Sequence, residues 1–525
     1  MVKTLKTKLL LCLQDKKSWA ALLGGGLLTF AYAPFGLWPL VFFCVALSFY
    51  ATEQPNWKTT FKYGWLFGFS WFCAGISWVH VSIAEFGGMP LIASLTLMAL
   101  LCSYLALYPA LAFSVGHIVA HTPTQRVIYS AAAFFVTEWL RGTLLTGFPW
   151  LSFGYTQTDS PLNVLAPWIG EVGLTGLIIL LSGFCYQLVV HRQWKSLALA
   201  VTIVIIGLLV SIRWVTTGYS EQEKRILLVQ GNIQQSLKWQ PEHFWPTMKM
   251  YRDVTRQSWN NVDLVVWPEA AIPEIEENAF PYLDAVGAAA AFNQTAVITG
   301  IPDYQFDTRN VFNSLIVLGK YEHTDTANQY QYLGRNRYQK HQLLPIGEFV
   351  PFEEWLRPIA PLFNLVMSSF TRGEQFQNNL RANGLNILPA ICYEIAFAEL
   401  VRGNFKSDSD ILFTVSNDAW FGDSHGPHQH MQIARMRALE LQRPLVRVTN
   451  NGLSGVYDPI SKNSEMMPQF EQTSLVAKVK LIHGTSWFSR FGQTPVCILA
   501  LLILTFGISV KLKDRISKRI EVDFF

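Results

Sequence analysis

Charge is what this chain of 525 residues has least of. Its 41 Lys and Arg and 37 Asp and Glu make up 15% of the sequence, against about 25% in soluble domains. Half of the residues are hydrophobic and 14% are aromatic, which excludes a disordered or collagen-like chain. The shortage is uneven: residues 1–218 carry 12 basic and 6 acidic side chains, whereas residues 219–490 carry 24 and 28. The net charge of +4 is therefore a sum over two environments, and no nucleic-acid partner is expected from it. Cysteine is scarce as well. Six of the seven, Cys12, Cys44, Cys73, Cys102, Cys185 and Cys497, lie in or beside apolar runs, so a disulfide framework is excluded and those thiols read as small buried hydrophobes. Only Cys392 lies in the charged region.

The uncharged runs are long. Ser18–Thr52 is 35 residues, Tyr63–Ala84 is 22, Phe86–Gln125 is 40, Val172–His191 is 20, Ser196–Ile212 is 17 and Phe491–Val510 is 20. A membrane-spanning helix needs about 20 apolar residues. Pro34, Gly36 and Pro39 break the first run into two short spans joined by a tight turn. The pattern predicts eight transmembrane helices, near residues 18–33, 37–52, 63–83, 90–112, 126–142, 167–190, 196–213 and 491–510. Ala31-Tyr32-Ala33 imitates a signal-peptide cleavage site, but Pro34 follows directly and seven further spans are predicted, so the segment reads as a retained span.

Basic residues in the connections set the orientation. Lys3, Lys6, Lys8, Lys16, Lys17, Lys58, Lys62, Arg126, Arg192, Lys195, Lys511, Lys513, Arg515, Lys518 and Arg519 all fall on one side of the predicted spans. By the positive-inside rule both termini are cytoplasmic and residues 219–490 lie outside. The expected organisation is a membrane domain of seven helices over 1–218, an extracytoplasmic domain over 219–490, and an eighth helix with a basic cytoplasmic tail over 491–525. An exterior domain sits in an oxidising compartment, where a lone Cys392 is either buried and inert or a free thiol kept for reactivity.

Residues 219–490 alternate between strand-like and helix-like stretches. Arg225–Ile233, Asp263–Trp267, Thr295–Ile301, Ser314–Leu318, Ile387–Tyr393, Asp410–Val415 and Leu445–Thr449 are predicted strands; Pro241–Trp259, Glu276–Phe292 and His428–Leu441 are predicted helices. Near-continuous Val, Ile and Leu runs imply strands buried on both faces, hence an α/β layered domain.

Chemistry in such a domain gathers at strand ends. Glu269 follows Val-Val-Trp-Pro, Lys340 follows Tyr338-Gln339, and Cys392 follows Leu-Pro-Ala-Ile. Each has a plain reading, respectively a helix-cap partner, a solvated loop charge and a core thiol. Together they make a kit for acyl transfer: a thiol nucleophile, a carboxylate to take and return its proton, and an ammonium to stabilise an oxyanion.

With their neighbours these residues resemble a known family. Trp267-Pro268-Glu269, Tyr338-Gln339-Lys340 and Ile391-Cys392-Tyr393-Glu394 are similar to the Glu-Lys-Cys triad of the nitrilase, or carbon-nitrogen hydrolase, superfamily. Within it, VQGNI from Val229, SLKWQP from Ser236, LLPIGEFVPFE from Leu343, SNDAWFGDSHGPHQH from Ser416, EWLRG from Glu138 and GFPWLSFGY from Gly147 resemble the bacterial apolipoprotein N-acyltransferases over essentially the whole chain. The resemblance implies a nitrilase-like αββα sandwich outside the cytoplasm, attached to an eight-helix transmembrane bundle in the bacterial inner membrane. It implies a phospholipid acyl donor, a diacylated apolipoprotein acceptor, and a thioester on Cys392 formed with Glu269 as base and Lys340 as oxyanion partner. No cofactor is implied, and a monomer is expected.

The same resemblance assigns supporting roles. Glu348 would orient Lys340 or substrate, Glu394 would hold Lys340 or a backbone donor, Tyr393 flanks the nucleophile or packs, and Trp239 would border the pocket from a loop after the first strand. Pro351–Phe370, rich in apolar side chains, reads as a lid or interfacial arm. His425, His428 and His430 are close in sequence, but no Cys or strand-borne carboxylate accompanies them, and no metal is expected. Glu138, Arg141 and Glu171 are candidates because charge in an apolar segment is costly; a Glu138–Arg141 pair along one helix is the plain alternative. Two competing readings stay open: a membrane-tethered amidase using the same triad, and a transporter or receptor with an inactive exterior domain.

Overall fold

A computed structural model describes residues 15–86, 88–213, 216–345, 347–349 and 370–523. The predicted lid, Pro351–Phe370, lies almost wholly outside the described residues. The described part divides into two compact units, one within Met1–His80, Pro90–Trp214 and Arg490–Phe525 and the other within Val81–Met89 and Val215–Ser489.

The first unit is helical. Among the described residues of the chain, helical stretches Leu91–Val119, Pro161–His191, Trp194–Ser211 and Thr494–Ser517 are long and apolar enough to cross a membrane, and a fifth span results if the broken pair Trp57–Gly75 and Val79–Glu85 counts as one. Leu40–Thr52 is a shorter apolar helix. The expected break in the first run is present: helix Lys16–Leu27 gives way to a 3₁₀ turn over Leu28–Ala31, and the next helix starts at Leu40. The predicted span over 63–83 does not run through, because its helix ends at Gly75. Aromatic rings fill the interior, with Trp71 stacked on Phe72 at 4.5 Å and on Phe153 at 4.4 Å. Small residues bring helices close: a Cβ on Gly116 would meet Ser130 Cα at 2.9 Å.

The described residues of the second unit hold twelve strands: β1 (Thr217–Gln230), β2 (Leu264–Val266), β3 (Ala296–Gln305), β4 (Asn310–Gly319), β5 (Arg337–Gln339), β6 (Leu380–Ala382), β7 (Leu385–Ile391), β8 (Ile411–Ser416), β9 (Leu445–Thr449), β10 (Gly455–Tyr457), β11 (Ser464–Met466) and β12 (Thr473–Gly484). They form two six-stranded mixed sheets, ordered β12-β1-β2-β3-β4-β5 and β11-β10-β9-β8-β7-β6. In each, three parallel strands are flanked by antiparallel ones.

Alternation along the strands explains the layering. Ile226, Leu228, Leu264, Val266 and Ile298 pack with Ile387, Ile391, Phe413 and Val448 in one core shared by the two sheets. Their neighbours Leu227, Val229, Val265 and Val297 face the opposite way, onto Met248 and Tyr251 of helix Pro241–Arg256 and Leu283 and Val286 of helix Glu276–Phe292. Both faces are apolar, so the strands read as unbroken Val, Ile and Leu runs. Helices Ala398–Asn404 and Gly426–Leu441 lie against β7 and β9 of the second sheet. The result is the helix–sheet–sheet–helix sandwich implied by the resemblance.

Leu228→Ala, in the core between the sheets, should cost about 2–5 kcal/mol, whereas Val476→Ala on the exposed face of β12 should stay within about 0.5 kcal/mol of the parent. Pulse proteolysis of the detergent-purified chain in urea, scored on cleavage within residues 216–489, measures both.

Candidate active site

Four strand ends supply the site, two from each sheet. β2 runs out at Val266; Trp267 keeps contact with β3 through its N–H to the Ile298 carbonyl, at 2.9 Å, and Glu269 follows. β5 delivers Lys340, whose N–H donates to the Asn313 carbonyl at 2.8 Å. β7 ends at Ile391, directly before Cys392, and β8 ends at Ser416.

Two of these turns use left-handed backbone at residues other than glycine: Cys392 has φ 53° and Ala270, next to Glu269, has φ 46°. Such geometry costs on the order of 1 kcal/mol or more and persists only where the surroundings fix it. The Glu269 turn lies so close to β3 that a Cβ on Gly300 would stand 2.3 Å from the Ala270 nitrogen and 2.9 Å from Glu269 Cα. Gly300 is a close-approach glycine.

Glu269 and Lys340 meet as expected from the sequence. Glu269 is 6% exposed and Lys340 1%, and Lys340 Nζ stands 3.4 Å from Glu269 Oε1. Glu348 completes the cluster, its Oε1 2.8 Å from the same ammonium. Asn313 Nδ2 donates to Glu269 Oε1 at 2.7 Å and to Glu348 Oε1 at 3.3 Å. The Asn417 N–H donates to Glu269 Oε2 at 2.9 Å. Burial alone would depress the Lys340 ammonium, but Glu348 and then Glu269 outweigh it and hold its pKa well above the usual lysine value. Lys340 is a permanent cation here.

Cys392 is half-buried. Burial, reinforced by the Glu269 carboxylate, pushes its thiol up to about 12, with Lys340 and a hydrogen bond between the thiol and Ser416 opposing. In its resting form Cys392 is a neutral thiol. Glu394 binds backbone rather than Lys340: its Oε1 accepts from the N–H groups of His341, at 2.7 Å, and Gln342, at 3.0 Å, and its Oε2 from the Ile391 N–H, at 2.8 Å, and the Tyr338 hydroxyl, at 3.0 Å. This one carboxylate ties the chain after Lys340 to the chain before Cys392. Tyr393 is buried, edge-on to Phe397 at 5.0 Å. Trp239 is half-buried at the end of the short helix Gln235–Lys238.

The sequence reading passed over two sets of residues. Lys238 is 4% exposed, donates to the Glu269 carbonyl at 3.1 Å, and lies 5.8 Å from the Trp239 ring. His430, weighed only as a metal ligand, is instead committed to the nucleophile's backbone: its Nε2 is 3.1 Å from the Cys392 carbonyl. Arg447 Nη2 stands 2.9 Å from His430 Nδ1 and 2.9 Å from Asp418 Oδ2, and Ser416 Oγ donates to Asp418 Oδ1 at 2.6 Å. Burial and Arg447 lower the His430 pKa, so the ring is neutral, accepts from Arg447 at Nδ1 and donates from Nε2 to Cys392. Arg447, with the Ser416 hydroxyl, overcomes burial to hold Asp418 well below the usual carboxylate range. Spacing gave no sign of this, since His430, Arg447 and Asp418 come from a helix, a strand and a loop.

Residues 24–184 match the apolipoprotein N-acyltransferase N-terminal domain, and residues 225–487 match the carbon-nitrogen hydrolase family. Curated apolipoprotein N-acyltransferases from Shewanella oneidensis and Vibrio cholerae are 46% and 45% identical to this chain, each over 91% of it and over 92% and 94% of their own lengths. The chain belongs to the apolipoprotein N-acyltransferase family. A more distant member, from Haemophilus influenzae, is 40% identical over 92% of this chain and 93% of its own. A carbon-nitrogen hydrolase superfamily protein from Xanthomonas campestris aligns to 49% of this chain and 91% of its own, with 18% identity and a TM-score of 0.34; the family assignment rests on the sequence matches.

In this N-acyltransferase family member the protonated resting thiol has a direct consequence. Alkylation of Cys392 by iodoacetamide should climb about tenfold per pH unit from about pH 7 to 10, past the point near 8.5 where an ordinary cysteine levels off. Peptide mass mapping of the Cys392 peptide gives the rate; a plateau below about pH 9 would contradict the buried-thiol assignment.

Proposed function

We propose that the chain transfers a fatty acyl group from a phospholipid to the α-amino group of the N-terminal diacylglyceryl-cysteine of apolipoproteins, through a thioester on Cys392. Two facts support the activity: the family membership, and relatives of nearly full length that carry the name apolipoprotein N-acyltransferase. The observation that carries the mechanism is the buried Glu269–Lys340–Glu348 cluster, whose charges act on the Cys392 thiol.

The geometry divides the roles. Lys340, held protonated between two carboxylates, cannot serve as base. Glu394 is saturated by four donors. Glu269 is left to take the thiol proton as Sγ attacks the ester carbonyl carbon of the phospholipid. The negative charge passes to the carbonyl oxygen, where Lys340 stabilises it. When the tetrahedral intermediate collapses, the ester C–O bond breaks, Glu269 returns the proton to the departing alkoxide, and lysophospholipid leaves. In the second half the lipoprotein amine attacks the thioester and Glu269 accepts its proton. Collapse breaks the C–S bond, and that proton goes back to sulfur. The cycle is ping-pong.

The 15 Lys and Arg of the predicted cytoplasmic connections support placement in the bacterial inner membrane, with both termini cytoplasmic and the 219–490 domain periplasmic. The same patterning supports eight spans, seven before residue 218 and one over 491–510.

Incubating the detergent-solubilised chain with phospholipid should add one acyl mass to Cys392 by intact-mass analysis, and a diacylated lipopeptide should remove it. Cys392→Ala should show no adduct. An adduct that survives this substitution, or its absence in the parent, rejects the thioester route.

A further inference from the structure

Beside the reacting groups, the mechanism above leaves a buried cation, Lys238, unused. Lys238 reaches the site from the segment after β1 and is 4% exposed. Its hydrogen bond runs to a main-chain carbonyl, that of Glu269, at 3.1 Å. The indole of Trp239 borders it at 5.8 Å. A buried ammonium costs several kcal/mol unless it is compensated, and a carbonyl with an aromatic face is modest compensation. Two charged or titratable groups act on it, the Glu269 carboxylate and the Cys392 thiol, and both are reacting groups in the mechanism.

The charge balance of the site shows what Lys238 adds. Lys340 is shared by Glu269 and Glu348, which leaves that triplet one negative charge in excess. Attack by Cys392 moves negative charge from the Glu269 carboxylate to sulfur and then to the acyl oxygen without removing it. We propose that Lys238 is a positioning cation for acyl transfer: it fixes the strained Glu269–Ala270 turn through the Glu269 carbonyl and supplies the positive charge that the Lys340 cluster lacks as sulfur becomes negative. The inference rests on the thioester reading above. Burial, against the pull of Glu269 and Cys392, lowers the Lys238 pKa to about 8. The ammonium is therefore lost in a range where Lys340, clamped by two carboxylates, keeps its proton.

The test is the rate of acyl-enzyme formation on the full-length chain in detergent, followed by intact mass with an equimolar mixture of phosphatidylethanolamine and phosphatidylglycerol from about pH 7 to 9. The parent rate should fall as pH rises through about 8, although thiol ionisation alone would raise it. Lys238→Met should lower the rate at about pH 7 by about tenfold or more and flatten the profile. Lys238→Arg should retain most of the rate and lose the fall, because a guanidinium does not deprotonate in this range. A parent profile that is flat or rises over this range overturns the proposal, even if neither variant folds. So does a folded Lys238→Met variant that acylates within about twofold of the parent. If the parent forms no Cys392 adduct at any pH, the thioester reading itself has failed.

Discussion

A lysine ammonium buried between two carboxylates is the constraint around which the catalytic unit is arranged. Lys340, Glu269 and Glu348 come from separate segments, and none could be buried alone. An unpaired charge in such a place costs several kcal/mol, so the segments must arrive together. That requires β2 and β5 of one sheet to end at the same place, while Asn313 on β4 shares the two Oε1 atoms with Lys340, and the N–H groups of Asn417 after β8 and of Leu344 cap Oε2 of Glu269 and Glu348. Under the proposed thioester route, with Lys340 held in its charged form and the thiol protonated, proton transfer falls to Glu269.

Each strained turn at the site has its own restraint. The left-handed Cys392 is gripped from both sides: Glu394 accepts the N–H of the preceding Ile391, and His430 donates to the carbonyl of Cys392 itself. His430 is in turn fixed by Arg447, which also binds Asp418. Ser416 links that carboxylate to the thiol. Preorganisation of this kind spares the reaction the cost of reorienting dipoles at the moment charge develops. It also explains why so many polar side chains are buried in a layer of otherwise apolar strands.

How much of this was legible in the sequence follows from where the information lies. Helix Glu276–Phe292 and strand Leu445–Thr449 were read to the residue, because local composition and punctuation decide them. Strands β5, β6, β10 and β11, three residues each, were missed: their pairing partners, not their own residues, make them strands. β12 was missed for another reason. Its pattern TSLVAKVKLIHG alternates between core and solvent, unlike the doubly buried runs of β2, β7, β8 and β9. At the site, short motifs around Glu269, Lys340 and Cys392 carried the resemblance. Lys238, Asp418 and His430 lie within stretches that also carried it, but nothing there marked their roles, since a buried lysine and a surface lysine are the same letter and only tertiary packing separates them. In the helical unit, apolar length alone suggested a span over 63–83, yet the helix stops at Gly75, within a run that hydropathy reads as continuous.

The scarcity of charge in the front half also has a structural side, separate from its use as a topology signal. Lys17 donates to the Glu53 carbonyl and Arg126 to the Thr52 carbonyl, both at the end of helix Leu40–Thr52. The last carbonyls of a helix have no partner of their own, and cations there are favoured by the helix dipole as well as by hydrogen bonding. Arg141 does related work on irregular backbone. Paired with Glu138, Nε to Oε1 at 3.1 Å, it donates to the carbonyls of Phe148 and, at 2.6 Å, Trp150. Irregular chain within an apolar unit is tolerated only where something satisfies its polar groups. These three basic residues are spent on main-chain carbonyls, and Glu138 serves by keeping Arg141 charged and aimed. In the helical unit these cations serve backbone satisfaction, whereas in the sandwich the buried cations Lys340 and Lys238 are set against Glu269, the proposed proton carrier.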